Sequence, residues 1–173
     1  MNNMLGTFSL LFFGIVSAAG QHDKISIKSD EKEVPVRVVK SFKKDFVKAD
    51  NVDWNIITGA VVSEEYSVGG FSSGLARATF YAVNFTEGEV KEAAIYDHYG
   101  RLVQSKWTIE EKALPDGVRR TVQTDFPGFA PTKSVEAVTG KERNVSHYRV
   151  ELKSGDLTKL VALDASGRIL KEK

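Results

Sequence analysis

Asp97 and Asp164 each open an Asp-x-x-Gly-Arg segment, DHYGR at 97–101 and DASGR at 164–168. A carboxylate at the head of a glycine-bearing loop is what a cation-binding loop presents. A high-affinity calcium loop, however, gathers several oxygens within about a dozen residues, and neither segment carries a second carboxylate. A hairpin turn needs only what is there. Asp accepts backbone N–H bonds at the first position, two unconstrained residues follow, and Gly takes the left-handed backbone that lets the strands pair again around a bulge.

The other reactive side chains do not converge. The three histidines, His22, His98 and His147, have no partner at the helix or hairpin spacing that a metal site or an acid–base pair uses. The absence of cysteine excludes disulfides, thiolate metal sites and a cysteine nucleophile. VGGFSSG at 68–74 lacks the Lys-Ser or Lys-Thr that follows a phosphate loop, and no serine nucleophile elbow is read in the chain. Glu64 with Glu65, and Glu110 with Glu111, are neighbours that point apart and read as solvated. The expectation is a non-enzymatic protein without a metal or cofactor.

Aromatic residues are the remaining resource for binding. Trp54, Tyr99 and Trp107 are expected to line an open sheet face, and Tyr66 and Phe71 lie in a Gly- and Ser-rich stretch, 63–78, read as a surface loop. Trp and Tyr carry much of the energy of interfaces, and long loops on a rigid frame often bind. These five are the candidate binding residues.

The elements that must position them are written twice. Offset by 67 positions, residues 81–106 align without a gap on residues 148–173, and seven of the 26 columns are identical: Tyr81 with Tyr148, Val83 with Val150, Gly88 with Gly155, Asp97 with Asp164, Gly100 with Gly167, Arg101 with Arg168, Lys106 with Lys173. Alternation in each block predicts strands, with Tyr81, Val83 and Phe85, and likewise Tyr148, Val150 and Leu152, facing a helix. The helix precedes each block. Val38, Phe42 and Phe46 recur at spacing four behind Pro35, as do Val118, Val122 and Phe126 behind Pro115, a pattern that puts one apolar stripe on a helix with proline at its start. Val52–Ile57 and Ser134–Val138 read as the first strand of each unit.

The predicted fold class is therefore α+β: two tandem helix-plus-antiparallel-strand repeats, forming one curved antiparallel sheet with the helices packed on one face. Repeat 1 spans 34–112 with the inserted loop at 63–78, and repeat 2 spans 113–173. Ahead of them lie an expected signal peptide, 1–19, built on the apolar run MLGTFSLLFFGIV before SAAGQ, and a polar linker, 20–33. With 24 basic against 23 acidic residues the net charge is +1, which gives no nucleic-acid footprint.

A helix ending in Asp-Phe, a strand with Trp54, Tyr-x-Val, a Gly turn and an Asp-x-x-Gly turn, nearly all of it twice over, resembles the PepSY-like family of small exported bacterial proteins. That family's fold is similar to beta-lactamase inhibitor protein. The resemblance covers 34–173 and implies a periplasmic or secreted binding module with a protein or peptide partner, and peptidase inhibition or regulation as its sharper form. It brings no catalytic residues. The second unit has no Trp at the place of Trp54. A carrier of a small apolar or metal-associated ligand is the alternative reading, and a monomer is favoured.

Overall fold

The computed structural model describes residues 25–65, 75, 77–139 and 144–172. The expected leader, Tyr66, Phe71 and His22 lie outside them. Nine strands form one open antiparallel sheet in sequence order: β1 (Ser26–Ser29), β2 (Asp50–Thr58), β3 (Thr79–Glu87), β4 (Val90–Asp97), β5 (Leu102–Ile109), β6 (Ala130–Thr139), β7 (Val145–Ser154), β8 (Leu157–Leu163) and β9 (Ile169–Glu172). Three α-helices accompany them among the described residues: α1 (Val36–Asp45), α2 (Gly59–Glu65) and α3 (Asp116–Asp125).

The starts of α1 and α3 are built alike. Glu31–Glu33 and Glu111–Ala113 each form a 3-10 turn; then comes a buried residue with extended backbone, Val34 or Leu114, and then the proline that caps the helix. A residue before proline is pushed away from helical geometry, so Val34 and Leu114 leave the turn and drop into the core. The apolar stripes then dock as the spacing predicts. Val38 and Phe42 pack with Trp54, Tyr81, Val83, Phe85, Ala94 and Tyr96, and Val118, Val122 and Phe126 pack with Val150, Leu152, Val161 and Leu163.

Cross-strand pairing puts both clusters on the same side of the sheet. Ala94 faces Ser105, Ser105 faces Thr139, and Ala137 faces Tyr148, so the side covered by α1 continues into the side covered by α3. The first core is aromatic: Phe42 meets Trp54 edge-on at 5.3 Å and Phe85 at 5.1 Å between ring centroids. The second is mainly aliphatic.

Two expectations are corrected. Helices lie on both sides, because α2 sends Val61 and Val62 onto Ile57, Phe80, Ala82 and Ile95, residues that alternate with the α1-facing set. The start of the segment read as a loop is therefore helix. The stretch read as a polar linker contains β1, whose residues 26–29 pair with 57–54 of β2. An edge strand draws its hydrogen bonds from its neighbour and needs no apolar run to declare it.

Candidate functional site

The two Asp-x-x-Gly-Arg turns are occupied by their own backbone. Asp97 accepts from the N–H groups of Tyr99 and Arg101 at 2.9 and 3.0 Å and from Arg101 Nε at 2.6 Å. Asp164 accepts from the N–H groups of Ser166 and Arg168 at 2.9 and 3.1 Å, from Ser166 Oγ at 2.5 Å and from Arg168 Nε at 3.1 Å. Burial pushes the Asp97 carboxyl up, but the hydrogen bonds from Arg101 and Tyr99 outweigh it and hold it below the usual carboxylate range. The Ser166 hydroxyl leads the same effect on Asp164.

Gly100 and Gly167 have positive φ, 80° and 94°, and each lies against its helix. A Cβ on Gly100 would stand 2.9 Å from the Arg37 carbonyl oxygen, and one on Gly167 would stand 2.3 Å from that of Gly117. The Asp-x-x-Gly-Arg segment is thus a turn shaped to seat a helix.

The expected binding aromatics separate. Trp54 is 3% exposed and lies beneath α1, with its indole N–H unpartnered among the described residues. Trp107 pairs with Glu92 and Ala137 and is half-buried on that same helix-covered side. The open-face placing of both is corrected. Which side a strand residue takes is fixed by pairing, and bulges between Asp50 and Asp53 and between Ile95 and Tyr96 shift the count.

Tyr99 is 69% exposed at the tip of the first turn. The Arg37 and Arg101 guanidiniums stand over its ring, at 5.7 and 5.3 Å from the centroid, within cation–π range. The Arg37 guanidinium also donates to His98 Nε2.

Residues that the sequence reading did not bring together make a second group, on the sheet side away from α1 and α3. Lys106 Nζ lies 2.9 Å from Glu136 Oε1, and an Arg149 guanidinium nitrogen lies 3.3 Å from Glu136 Oε2. The Lys106 side chain is only 4% exposed. His147, buried on β7 opposite Val138, bonds Ser146 Oγ through Nδ1 at 2.9 Å. Its burial, and next the positive charge of Arg149, push its pKa down from 6.5 to about 4.

The corresponding positions of the first half read otherwise. By the same offset of 67, His147 and Arg149 stand where Phe80 and Ala82 stand, and those two are apolar and covered by α2. The signal was in the chain: an apolar pair in one half where the other has a histidine and an arginine. One further motif was missed. Residues 70–74, GFSSG, spell Gly-x-Ser-x-Gly, contrary to the reading above. They lie outside the described residues, after a helix and ahead of strand β3, the reverse of the strand-then-helix setting of a nucleophile elbow.

No protein-family model matches the chain, and no curated protein does. Solved structures do. A DUF2874 family protein from Bacteroides uniformis superposes with a TM-score of 0.60 at 17% identity, covering 80% of this chain and 88% of its own. A BLIP-like protein from Bacteroides fragilis gives 0.55 at 13% identity, covering 83% and 91%. A protein of presumed periplasmic location from Bacteroides eggerthii gives 0.60 at 12%, covering 81% and 88%. At these identities the likeness is one of fold.

Proposed function

We propose that this chain is an exported, non-enzymatic module that recognises a protein or peptide partner through the sheet face away from α1 and α3, where β5, β6 and β7 bring together Lys106, Glu136, His147 and Arg149. A single observation carries the reading: two backbone places that are apolar and helix-covered in the first half, Phe80 and Ala82, hold the polar His147 and Arg149 in the second. Buried charges are expensive to keep and gain little for stability over a well-packed apolar set. Their retention on this side of the sheet fits a face with a polar partner. The fold shared with a BLIP-like protein and with one of presumed periplasmic location supports the class of function and the export.

The same reading holds that the two halves descend from one duplicated unit of the PepSY-like kind. In support, helix-then-four-strands occurs twice, in α1 with β2–β5 and in α3 with β6–β9, with α2 added to the first. Inhibition of a peptidase is its sharper form.

Cross-linking a tagged chain in intact cells, followed by mapping of the joined peptides, tests the proposal. Joins through Lys171, which the pairing of β7, β8 and β9 puts on the side of Arg149, support it, and a chain that cross-links only through the far side of the sheet contradicts it. Mass spectrometry of the natively purified protein distinguishes the carrier alternative, which requires a co-purifying small ligand.

A further inference from the structure

We infer that the outer side of α1, together with the Tyr99 turn, is a second docking surface, and that it takes an extended acidic segment of another protein. Arg37, Lys40, Lys43, Lys44 and Lys48 are all exposed, and the helix holds one carboxylate, Asp45, which accepts the Tyr96 hydroxyl at 2.9 Å. Among the described residues Lys43 is the one of these five with an anionic partner, Glu31 at 2.7 Å, and the Arg37 guanidinium donates to His98. Helical spacings of three and four put Arg37, Lys40 and Lys44 on one stripe, next to Arg37's neighbours in the turn, Tyr99 and Arg101.

The rest of the molecule does not ask for this charge. The net charge of the whole chain is +1, and α3 balances Arg119 and Arg120 with Asp116 and Asp125. Nor does the turn need its aromatic, because the second copy seats its helix equally well with Ala165 and Ser166 where His98 and Tyr99 stand. What the first half adds is an exposed ring between two guanidiniums, beside a row of lysines. Guanidiniums grip carboxylates in a fixed fork, and a ring between them offers apolar contact to the residue that separates two acidic ones.

A membrane surface is disfavoured because Val38 and Phe42, the apolar stripe of α1, are spent in the core, and the exposed valines at its two ends, Val36 and Val47, make no continuous apolar face to insert. A nucleic acid is disfavoured because a helix of ten residues is about 15 Å long, short for a regular phosphate track. This surface is independent of the sheet-face proposal and stands or falls apart from it.

The test uses residues 20–173 and a fluorescent dodecamer of Asp and Glu interrupted by Leu, beside its Asn and Gln counterpart, phosphatidylglycerol vesicles and a DNA oligonucleotide. The acidic dodecamer is expected to bind in a salt-sensitive way, with Lys40→Glu plus Lys44→Glu weakening it about tenfold and His98→Ala plus Tyr99→Ser about threefold. Arg120→Glu on α3 is expected to change nothing. Should the turn variant fail to fold, the lysine pair, far from the core, carries the test alone. Affinities unchanged by the α1 variants, equal binding of the amide dodecamer, no binding at all, or capture by vesicles or DNA in preference to the peptide would each overturn the inference.

Discussion

The Thr121 hydroxyl donates to the carbonyl oxygen of Gly167 at 2.8 Å, pinning α3 to the turn between β8 and β9. In the first half the turn glycine, Gly100, sits against Arg37 and Ser41 of α1. Turn and helix are thus one joint in each half, and the glycine is its contact point.

Alanine at Gly167 is therefore expected to destabilise by about 3 kcal/mol or more, since left-handed backbone alone costs a non-glycine about 1–2 kcal/mol and the added carbon meets a carbonyl. Gly88 and Gly155 are also left-handed but have nothing within 4 Å of the Cβ position, so alanine there should cost only about 1 kcal/mol. Denaturant midpoints of the three variants check the ranking. Equal losses at all three would remove the joint.

Trp54 is a core residue in this structure, so Trp54→Ala should cost about 3–5 kcal/mol. Trp54→Phe should cost far less than the alanine change, because the indole N–H it removes has no described partner. Quenching by acrylamide gives a second readout: in Trp107→Phe the remaining Trp54 emission should be shielded, and in Trp54→Phe the half-buried Trp107 should be reached.

His147 predicts acid sensitivity. Its pKa is about 4 when folded and 6.5 ordinarily, with burial the first cause, Arg149 and Lys171 opposing the proton and Glu136 favouring it. Between those values the unfolded chain holds a proton that the folded one refuses, so stability falls as pH drops from about 6.5 towards 4. The loss should be about 2 kcal/mol, taken below the full shift to allow for solvent screening. The lowered carboxyls, Asp97 and Asp164, lose their contribution only as pH falls beneath their ordinary 3.8, outside this window. Unfolding at pH 7 and pH 4.5 should show the loss in the wild type and a flatter profile in His147→Phe. Parallel profiles would contradict the assignment.

Much of the fold was legible because backbone punctuation and helix periodicity are local. The spacing of Val38, Phe42 and Phe46 and the glycines at 88, 100, 155 and 167 state their roles within a few residues. Helix α2 was not legible. GAVVSEE begins with glycine and is too short to show a period, and it runs into a stretch rich in Gly and Ser. The sides of Trp54 and Trp107 were not legible either, since a bulge resets alternation without leaving a mark in one strand. Lys106, Glu136 and Arg149 lie on three strands far apart in sequence, and each alone reads as an ordinary solvent-facing charge. Only the pairing of β5, β6 and β7 brings them together.

Neutralising Glu136 should show that they act as a unit. Glu136→Gln leaves Lys106 and Arg149 facing each other with a weaker acceptor and is expected to cost about 1–3 kcal/mol. Glu136→Gln combined with Arg149→Gln should recover part of that loss, because a cation goes with the anion. A double-mutant cycle with no coupling would mean that the two do not act together.

The sheet face of the second half is tested most directly by quantitative affinity capture from the exported fraction of the producing cell. Wild-type residues 20–173 would be run beside the folded Glu136→Gln plus Arg149→Gln variant. A partner enriched by the wild type and reduced at least about tenfold on the variant, or about 1.4 kcal/mol, is the predicted result. The same partners at the same abundance on both would contradict it.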